Sequence, residues 1–444
     1  MLWWSEIKTK FTKSKDFFRQ LDIEQVQDLI LHVLRERPYL QGIPYWTAAC
    51  LVGLVAVVYS GAFSACIQMA RAVHQDHPYW LFLVSPVCFF MATWVVEKFA
   101  PQAGGTGVPR VIHALNLDST AQKSEIDQDL NMKVAAIVVL SSLLCVLGAG
   151  SLGREGPMVH MAACLFYFVG RRLHRVWPYT EHRSWIVAGG AAGVAAAFNA
   201  PLAGVVFVLE ELAQQHFHQF KTVVISAAII GGMISQWLSG KYLYFGYPKI
   251  GAVPFSSVTW ALLLGILCGL FAYPFHRMLQ INWREKLPNY FNTRLKFSIV
   301  TGLCVAAIAI FINPGSIGGG VSVVEDLLLK GEHATWGLVA ARFFGTVISH
   351  LSGCAGGFLA PALGLGAAIG SMLATLASYP NHELLVLVGM SAFLSAIVRA
   401  PFTAWVIVME MTDRHQAIFP LMVASLISHG TLALIMSRRK GKIF

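Results

Sequence analysis

The sequence predicts an all-α protein that crosses a membrane many times and is built from two inverted halves. Three observations carry this: long apolar runs, charge held in the connections and ends, and a repeat at a fixed offset of 200 residues. Of 444 residues, 56% are hydrophobic and 13% charged, with a mean hydropathy of +0.60. A water-soluble chain carries about 25% charged residues, so water is not the main solvent of this one.

The elements follow in order. Residues 1–44 are charged and amphipathic, lack the compact core and cleavage site of a signal peptide, and are expected as a cytoplasmic surface segment. Crossing roughly 30 Å of hydrocarbon takes about 20 helical residues. Runs of that kind are Tyr45 to Ala70, Tyr79 to Val96, Val134 to Gly153, Val258 to Phe275, Leu295 to Ile312 and Phe419 to Met436. Two repeats, 45–240 and 241–437, precede a basic tail, 438–444. Basic residues at both ends, Lys8 to Lys15 and Arg438 to Lys442, put both termini in the cytoplasm by the positive-inside rule. The net charge of +10 is therefore topological; no aromatic-interleaved basic groove or zinc spacing points to a nucleic acid partner. The eight cysteines show no metal or redox spacing and read as small buried side chains, and no cofactor or metal is expected.

Offset by 200 residues, Ala196, Ala200, Pro201, Val206, Val208 and Glu210 align with Ala396, Ala400, Pro401, Val406, Val408 and Glu410. The same frame pairs Gly153 with Gly353, Gly156 with Gly356 and Gly189 with Gly389. Cytoplasmic termini require an even number of crossings, and two equal halves of odd number then lie in opposite orientations. Such inverted repeats place ion sites near the bilayer midplane, where broken helices present their N-terminal ends to an anion.

Matching breaks are present: Gly104 to Pro109, Gly153 to Pro157, and Gly356 to Pro361. Each has glycines before a proline that opens an apolar run. Glycine permits the turn, proline suits the first helical turn, and the free N–H groups form an anion site without a buried cation. Glycine and proline also serve simple packing in membrane helices; three breaks in matching halves favour the site.

Glu155 is a carboxylate at a helix start among apolar segments, where charge is expensive unless donors or protonation compensate. It can occupy the anion's own place and leave when protonated; the plainer alternative is an ion pair with Arg154. Glu210 and Glu211 end the run that starts at Pro201. Adjacent helical positions point about 100° apart, so one at most faces a given path. Glu210, repeated by Glu410, is expected as a solvated cytoplasmic helix end; Glu211, opposite Met411, is the better candidate for a special role. His160 is expected to be a packed histidine, and Arg342 and Arg399 to be paired or carbonyl-bonded.

Gly105 to Pro109, Gly153 to Pro157, Ala197 to Gly204, Gly356 to Pro361 and Glu410 to Asp413 together resemble, in order and spacing, the chloride channel and transporter (CLC) family. The resemblance runs from about 45 to 437, like a short prokaryotic member without regulatory domains. It implies a homodimer in the lipid bilayer, with about eighteen tilted, partly re-entrant helices and one anion path per subunit. It makes Glu155 the gating glutamate. It puts the Thr106 hydroxyl and the Phe358 and Leu359 N–H groups on a central anion, and Gly153, Arg154, Gly156 and Ala360 around an outer one. Glu211 falls where exchangers of the family carry an internal proton-transfer glutamate, which implies chloride/proton antiport in a bacterial inner membrane, chloride and protons being the transported ions.

Two departures stand out. Thr106 replaces the usual serine, and no tyrosine follows Tyr379 to supply the hydroxyl that the family's last helix gives the central anion. Either Phe444 approaches that place without a hydroxyl or the final helix is missing, and either would loosen coupling. The alternatives are a passive chloride channel or loosely coupled carrier, a fluoride-exporting relative, and a membrane enzyme using Glu155, for which no second catalytic group is evident.

Overall fold

A computed structural model of the chain describes residues 42–117, 122–173, 181–212, 217–240, 243–281 and 291–440. The N-terminal segment, save its last three residues, and Phe444 lie outside these. The described residues are almost wholly helical, with two isolated β-bridges and no named strand.

The first half comprises α1 (Ile43–Asp76), α2 (Leu81–Phe99), α3 (Val108–Asn116), α4 (Lys123–Asp129), α5 (Met132–Leu147), α6 (Glu155–Leu173), α7 (His182–Phe198), α8 (Pro201–Phe207) and α9 (Phe217–Ser239). The second comprises α10 (Ser257–Leu279), α11 (Phe291–Ala307), α12 (Val321–Leu329), α13 (Trp336–Leu351), α14 (Leu359–Leu376), α15 (His382–Val398), α16 (Pro401–Thr412) and α17 (Ile418–Lys440). A π turn, Val208–Leu212, prolongs α8, and another, Ile308–Ile312, prolongs α11.

Eight helical stretches among the described residues are long and apolar enough to span a membrane. Five of the six runs read from the sequence fall within them, and the sixth, Val134 to Gly153, overruns its span, which ends at Leu147, into the second glycine break; Lys221–Ser239 and Leu359–Leu376 are additional. Leu359–Leu376 is largely buried inside the protein, so its surroundings are other helices and not lipid.

Small residues set the packing of the two central helix pairs. A Cβ at Gly366 of α14 would lie 2.3 Å from the Gly389 carbonyl of α15, and one at Gly389 would lie 2.3 Å from the Gly366 carbonyl. In the other half, a Cβ at Gly189 of α7 would lie 2.8 Å from Ala163 Cα of α6. Close backbone approach of this kind is what drives helix association where apolar burial gives no net gain over lipid.

Two expectations need correction. Glu210 is not a solvated helix end: its carboxylate accepts hydrogen bonds from the Phe402 and Thr403 N–H groups at 3.1 and 2.7 Å and from the Thr403 hydroxyl at 2.8 Å. Glu410 reciprocates, accepting from the Leu202 and Ala203 N–H groups at 3.0 and 2.8 Å. Each short helix thus caps the start of the other, so α8 and α16 run antiparallel, and the unpaired N–H groups of a first turn are answered from across the pseudo-symmetric pair. Nor are the cysteines uniformly buried singles: Cys304 is exposed, Cys50 and Cys66 are half-buried, and the sulfurs of Cys145 and Cys354 lie 3.0 Å apart.

Candidate functional site: the junction of three glycine breaks

The three breaks meet and are bonded to one another by their backbones. Gly105 N–H donates to Cys354 O and Gly356 N–H to Gly105 O, both at 3.1 Å, joining the first break to the third. Gly153 N–H donates to Gly357 O at 2.7 Å and Gly357 N–H to Gly153 O at 2.8 Å, joining the second to the third. From this knot α3, α6 and α14 depart, so three helix N-termini, each with unpaired N–H groups and the positive end of its dipole, belong to one small region.

Glycine is needed here for room. A Cβ at Gly153 would fall 2.2 Å from Glu155 Oε2, and one at Gly156 would fall 2.3 Å from the Thr106 carbonyl. Any side chain at Gly153 would evict the Glu155 carboxylate, and any at Gly156 would part the first two breaks.

Glu155 is 1% exposed. The N–H groups of Glu155 itself and of Ala360 are directed at its carboxylate, yet Oε2 has no hydrogen-bond partner among the described residues. The ion-pair alternative fails: among the described residues no salt bridge joins Arg154 to Glu155. Arg154 instead donates to the Tyr244 hydroxyl at 3.1 Å and to Ser60 O at 3.4 Å, with its guanidinium 5.4 Å from the Tyr244 ring centre.

Gly153, Arg154 and Glu155 form part of the wall of a cavity of about 450 Å³. Its walls carry Arg71, Ser60, Ser64, Asn199 and Tyr244. Glu155 is therefore the group at the junction best placed to leave: under-bonded and adjoining open space with polar groups in its walls. On the Leu359 side the packing is tight and apolar, and Phe198, Phe207, Leu359 and Ile407 leave a void of only about 10 Å³.

Of the sequence candidates, Thr106, Gly153, Arg154, Glu155, Gly156, Phe358, Leu359 and Ala360 come together at or beside the knot. Thr106 and Phe358 are half-buried, while Leu359 and Ala360 are buried. Glu211 does not join them. It sits half-buried in the π turn after α8, within the electrostatic reach of Glu210 and Arg399, and does not line the cavity that Glu155 lines. Phe444 lies outside the described residues. His160 is a packed histidine, as expected, fully buried and 2.9 Å from Asp129 O.

Sequence reading assigned no role to Arg71 in the cavity wall, nor to Tyr244 as the anchor of Arg154. Tyr244 follows the apolar run of α9 and carries no local signal; only the tertiary contact reveals it.

Known proteins bear on this geometry. The family described as voltage gated chloride channel matches residues 87–433. An H(+)/Cl(-) exchange transporter ClcA of Vibrio cholerae is 30% identical over 404 residues, covering 85% of this chain and 83% of that protein. A ClcA of Klebsiella pneumoniae is 29% identical over 406 residues, with the same coverage. Among solved structures, a slow cyanobacterial Cl−/H+ antiporter superposes with a TM-score of 0.77 at 24% identity, covering 89% of this chain and 94% of that one. A CLC-type fluoride/proton antiporter gives 0.75 at 22%, covering 89% and 96%. The fold, the knot of breaks and the family match agree: this chain is an integral membrane protein of the voltage gated chloride channel (CLC) family.

Proposed function

We propose that this protein exchanges chloride for protons across the membrane, with the Glu155 carboxylate competing with the anion for one place. The observation that carries this is the state of Glu155: buried where helix N-termini meet, with Oε2 lacking a hydrogen-bond partner among the described residues, and in the wall of a cavity. A carboxylate in that place excludes chloride; protonated, it loses its attraction to the N–H groups and swings into the cavity, which admits the ion and delivers the proton. Thr106 and the N–H groups of Phe358 and Leu359 hold the central anion, and Gly153, Arg154, Gly156 and Ala360 frame the outer one by backbone groups. Glu211 serves as the separate internal proton station, supported by its place in the π turn after α8, outside the wall of the cavity that Glu155 lines. The exchange transporter names of the Vibrio and Klebsiella relatives support the coupled reaction over passive conduction.

The working unit is a homodimer. Glu210 and Glu410 cap α8 and α16 on a face where Leu202 and Phe402 are each 50% exposed. Carboxylates and first-turn backbone are poorly tolerated against lipid, and a second copy would cover them. The two repeats, 45–240 and 241–437, each contribute one of these helices. The membrane is the inner membrane of a bacterium, with both termini on the cytoplasmic side, in keeping with the bacterial relatives and the basic ends.

The test is flux in liposomes holding only the purified protein, with a chloride gradient imposed and internal pH followed. Uphill proton movement in the wild type that disappears in Glu155→Ala, while chloride still flows, establishes the proposal. Chloride flux with no proton movement in the wild type makes the protein a channel or uncoupled carrier instead.

A further inference from the structure

Two of the fifteen histidines meet at the end of α14 remote from the junction. His333, in the connection between α12 and α13, and His382, the first residue of α15, hold their ring centres 4.6 Å apart with the planes at 75°. Each ring is anchored through one nitrogen by a hydroxyl in the last turns of α14. His333 Nδ1 lies 3.0 Å from Thr375 Oγ1, and His382 Nε2 lies 2.8 Å from Ser371 Oγ. Ser371 is fully buried and also accepts the Ala334 N–H at 2.9 Å, so the connection, α14 and α15 are tied at one point.

These bonds set where the ring protons lie. Thr375 Oγ1 donates its own hydrogen to Ser371 O at 3.0 Å, so it accepts from His333 Nδ1–H, and the lone pair of that ring is on Nε2. Ser371 Oγ has a second lone pair for His382 Nε2–H, and in that tautomer the lone pair of the second ring is on Nδ1. Neither His333 Nε2 nor His382 Nδ1 has a hydrogen-bond partner among the described residues. A neutral imidazole with one nitrogen anchored as a donor and the other left as a lone pair is the form in which histidine binds a metal, and the anchor fixes the ring's orientation.

We propose that His333 and His382 form a binding site for a late first-row divalent cation of the Zn²⁺ kind on the outer face of the protein. Imidazole selects such cations over Mg²⁺ and Ca²⁺, which take oxygen ligands. Among the described residues no third histidine, cysteine or carboxylate completes a ligand group, so water fills the remaining positions and the ion binds less tightly than at a closed four-ligand site. Charge favours it: Glu383 acts on His382, Glu332 adjoins His333 in sequence, and Lys330 is engaged by Asp326 at 2.7 Å. His333 is exposed, which lets its ring turn on the Thr375 anchor to bring Nε2 to the ion. The outer face follows from the repeat. α6 ends in Arg171 and Arg172, a cytoplasmic mark, and α14, its counterpart in the inverted half, ends on the opposite side. The ion braces the connection, the end of α14 and the start of α15 against one another.

The test uses the full-length protein in detergent, freed of metal and of any polyhistidine tag. Zinc should raise the unfolding temperature, and equilibrium dialysis should find a single ion per chain that His333→Ala and His382→Ala each bind at least about tenfold more weakly, since losing even a ligand's anchor costs that much. Thr375→Val, which keeps both ligands and removes one anchor, should weaken binding by about tenfold to a hundredfold. His333 and Thr375 are exposed, so these two variants should unfold at the wild-type temperature without zinc, and they decide the matter if His382→Ala fails to fold. Crystals grown with zinc should show its anomalous signal between the two rings. Equal zinc affinity in wild type and His333→Ala, protection by magnesium as strong as by zinc, or an anomalous signal only elsewhere on the surface overturns the site. It stands or falls apart from the exchange reading, because none of its ligands touches the junction that holds Glu155.

Discussion

Glu155 and the pair Glu210 and Glu410 are all carboxylates at helix N-termini in an apolar surround, yet their bonding differs. Glu210 and Glu410 each have both oxygens held by N–H groups of a facing helix. Glu155 has one oxygen without a partner among the described residues and a cavity beside it. A carboxylate with both oxygens satisfied is fixed, because leaving costs its hydrogen bonds and orphans the donors. One that is half satisfied can move when a proton removes its charge. The comparison separates a structural acid from a working one without reference to sequence position.

The comparison breaks most visibly at Glu155. Glu155→Ala should abolish proton coupling and leave chloride flux, and it should also remove the acceleration that acidifying the outer solution gives the wild type. The sign follows from competition: protonation empties the anion's place, so more acid means faster exchange until the alanine makes the place permanently vacant. Retained coupling in this variant would place the gate elsewhere.

Next in size is Glu211→Gln, which should lower proton flux by about tenfold or more, as loss of a positioned proton-transfer group does, while chloride flux persists. Fluorescence of a trapped pH dye against a chloride electrode reads both. A proportional loss of the two fluxes would make Glu211 structural, like its neighbour.

A smaller effect is expected at the caps. Glu410→Ala should strip two N–H groups of their acceptor and cost about 1–3 kcal/mol, read as a lower unfolding temperature and a larger monomer fraction in detergent. The proton-to-chloride ratio should stay at the wild-type value, whereas a changed ratio would mean the caps belong to the transport machinery. Smallest is Thr106→Ser, which removes one methyl and keeps the hydroxyl; anion preference measured by competing nitrate and fluoride should shift by no more than about tenfold, the lower end of what one methylene is worth in a pocket.

Much of the site was legible in the sequence because its signals are local. Glycine followed by proline marks a break that opens a helix, and Gly153-Arg154-Glu155-Gly156-Pro157 puts a carboxylate on such a break within five residues. The spans at Lys221–Ser239 and Leu359–Leu376 were not singled out, since the glycines and alanines that let helices pack closely, and the scattered polar residues between them, dilute a continuous apolar run. The repeat did flag Glu210 and Glu410 as equivalents, but their tie is reciprocal and spans 207 residues from Ala203 to Glu410, so no window along the chain shows it. Sequence places chemistry on helix ends; which end faces which is decided by packing.

The central claim is that chloride and the Glu155 carboxylate occupy one place in turn. Anomalous scattering from bromide, compared between wild type and Glu155→Ala crystals, tests it most directly. The account predicts that the space beside Gly153, Gly156 and Ala360 is free of bromide in the wild type and filled in the variant. Bromide there in both, or in neither, would contradict it.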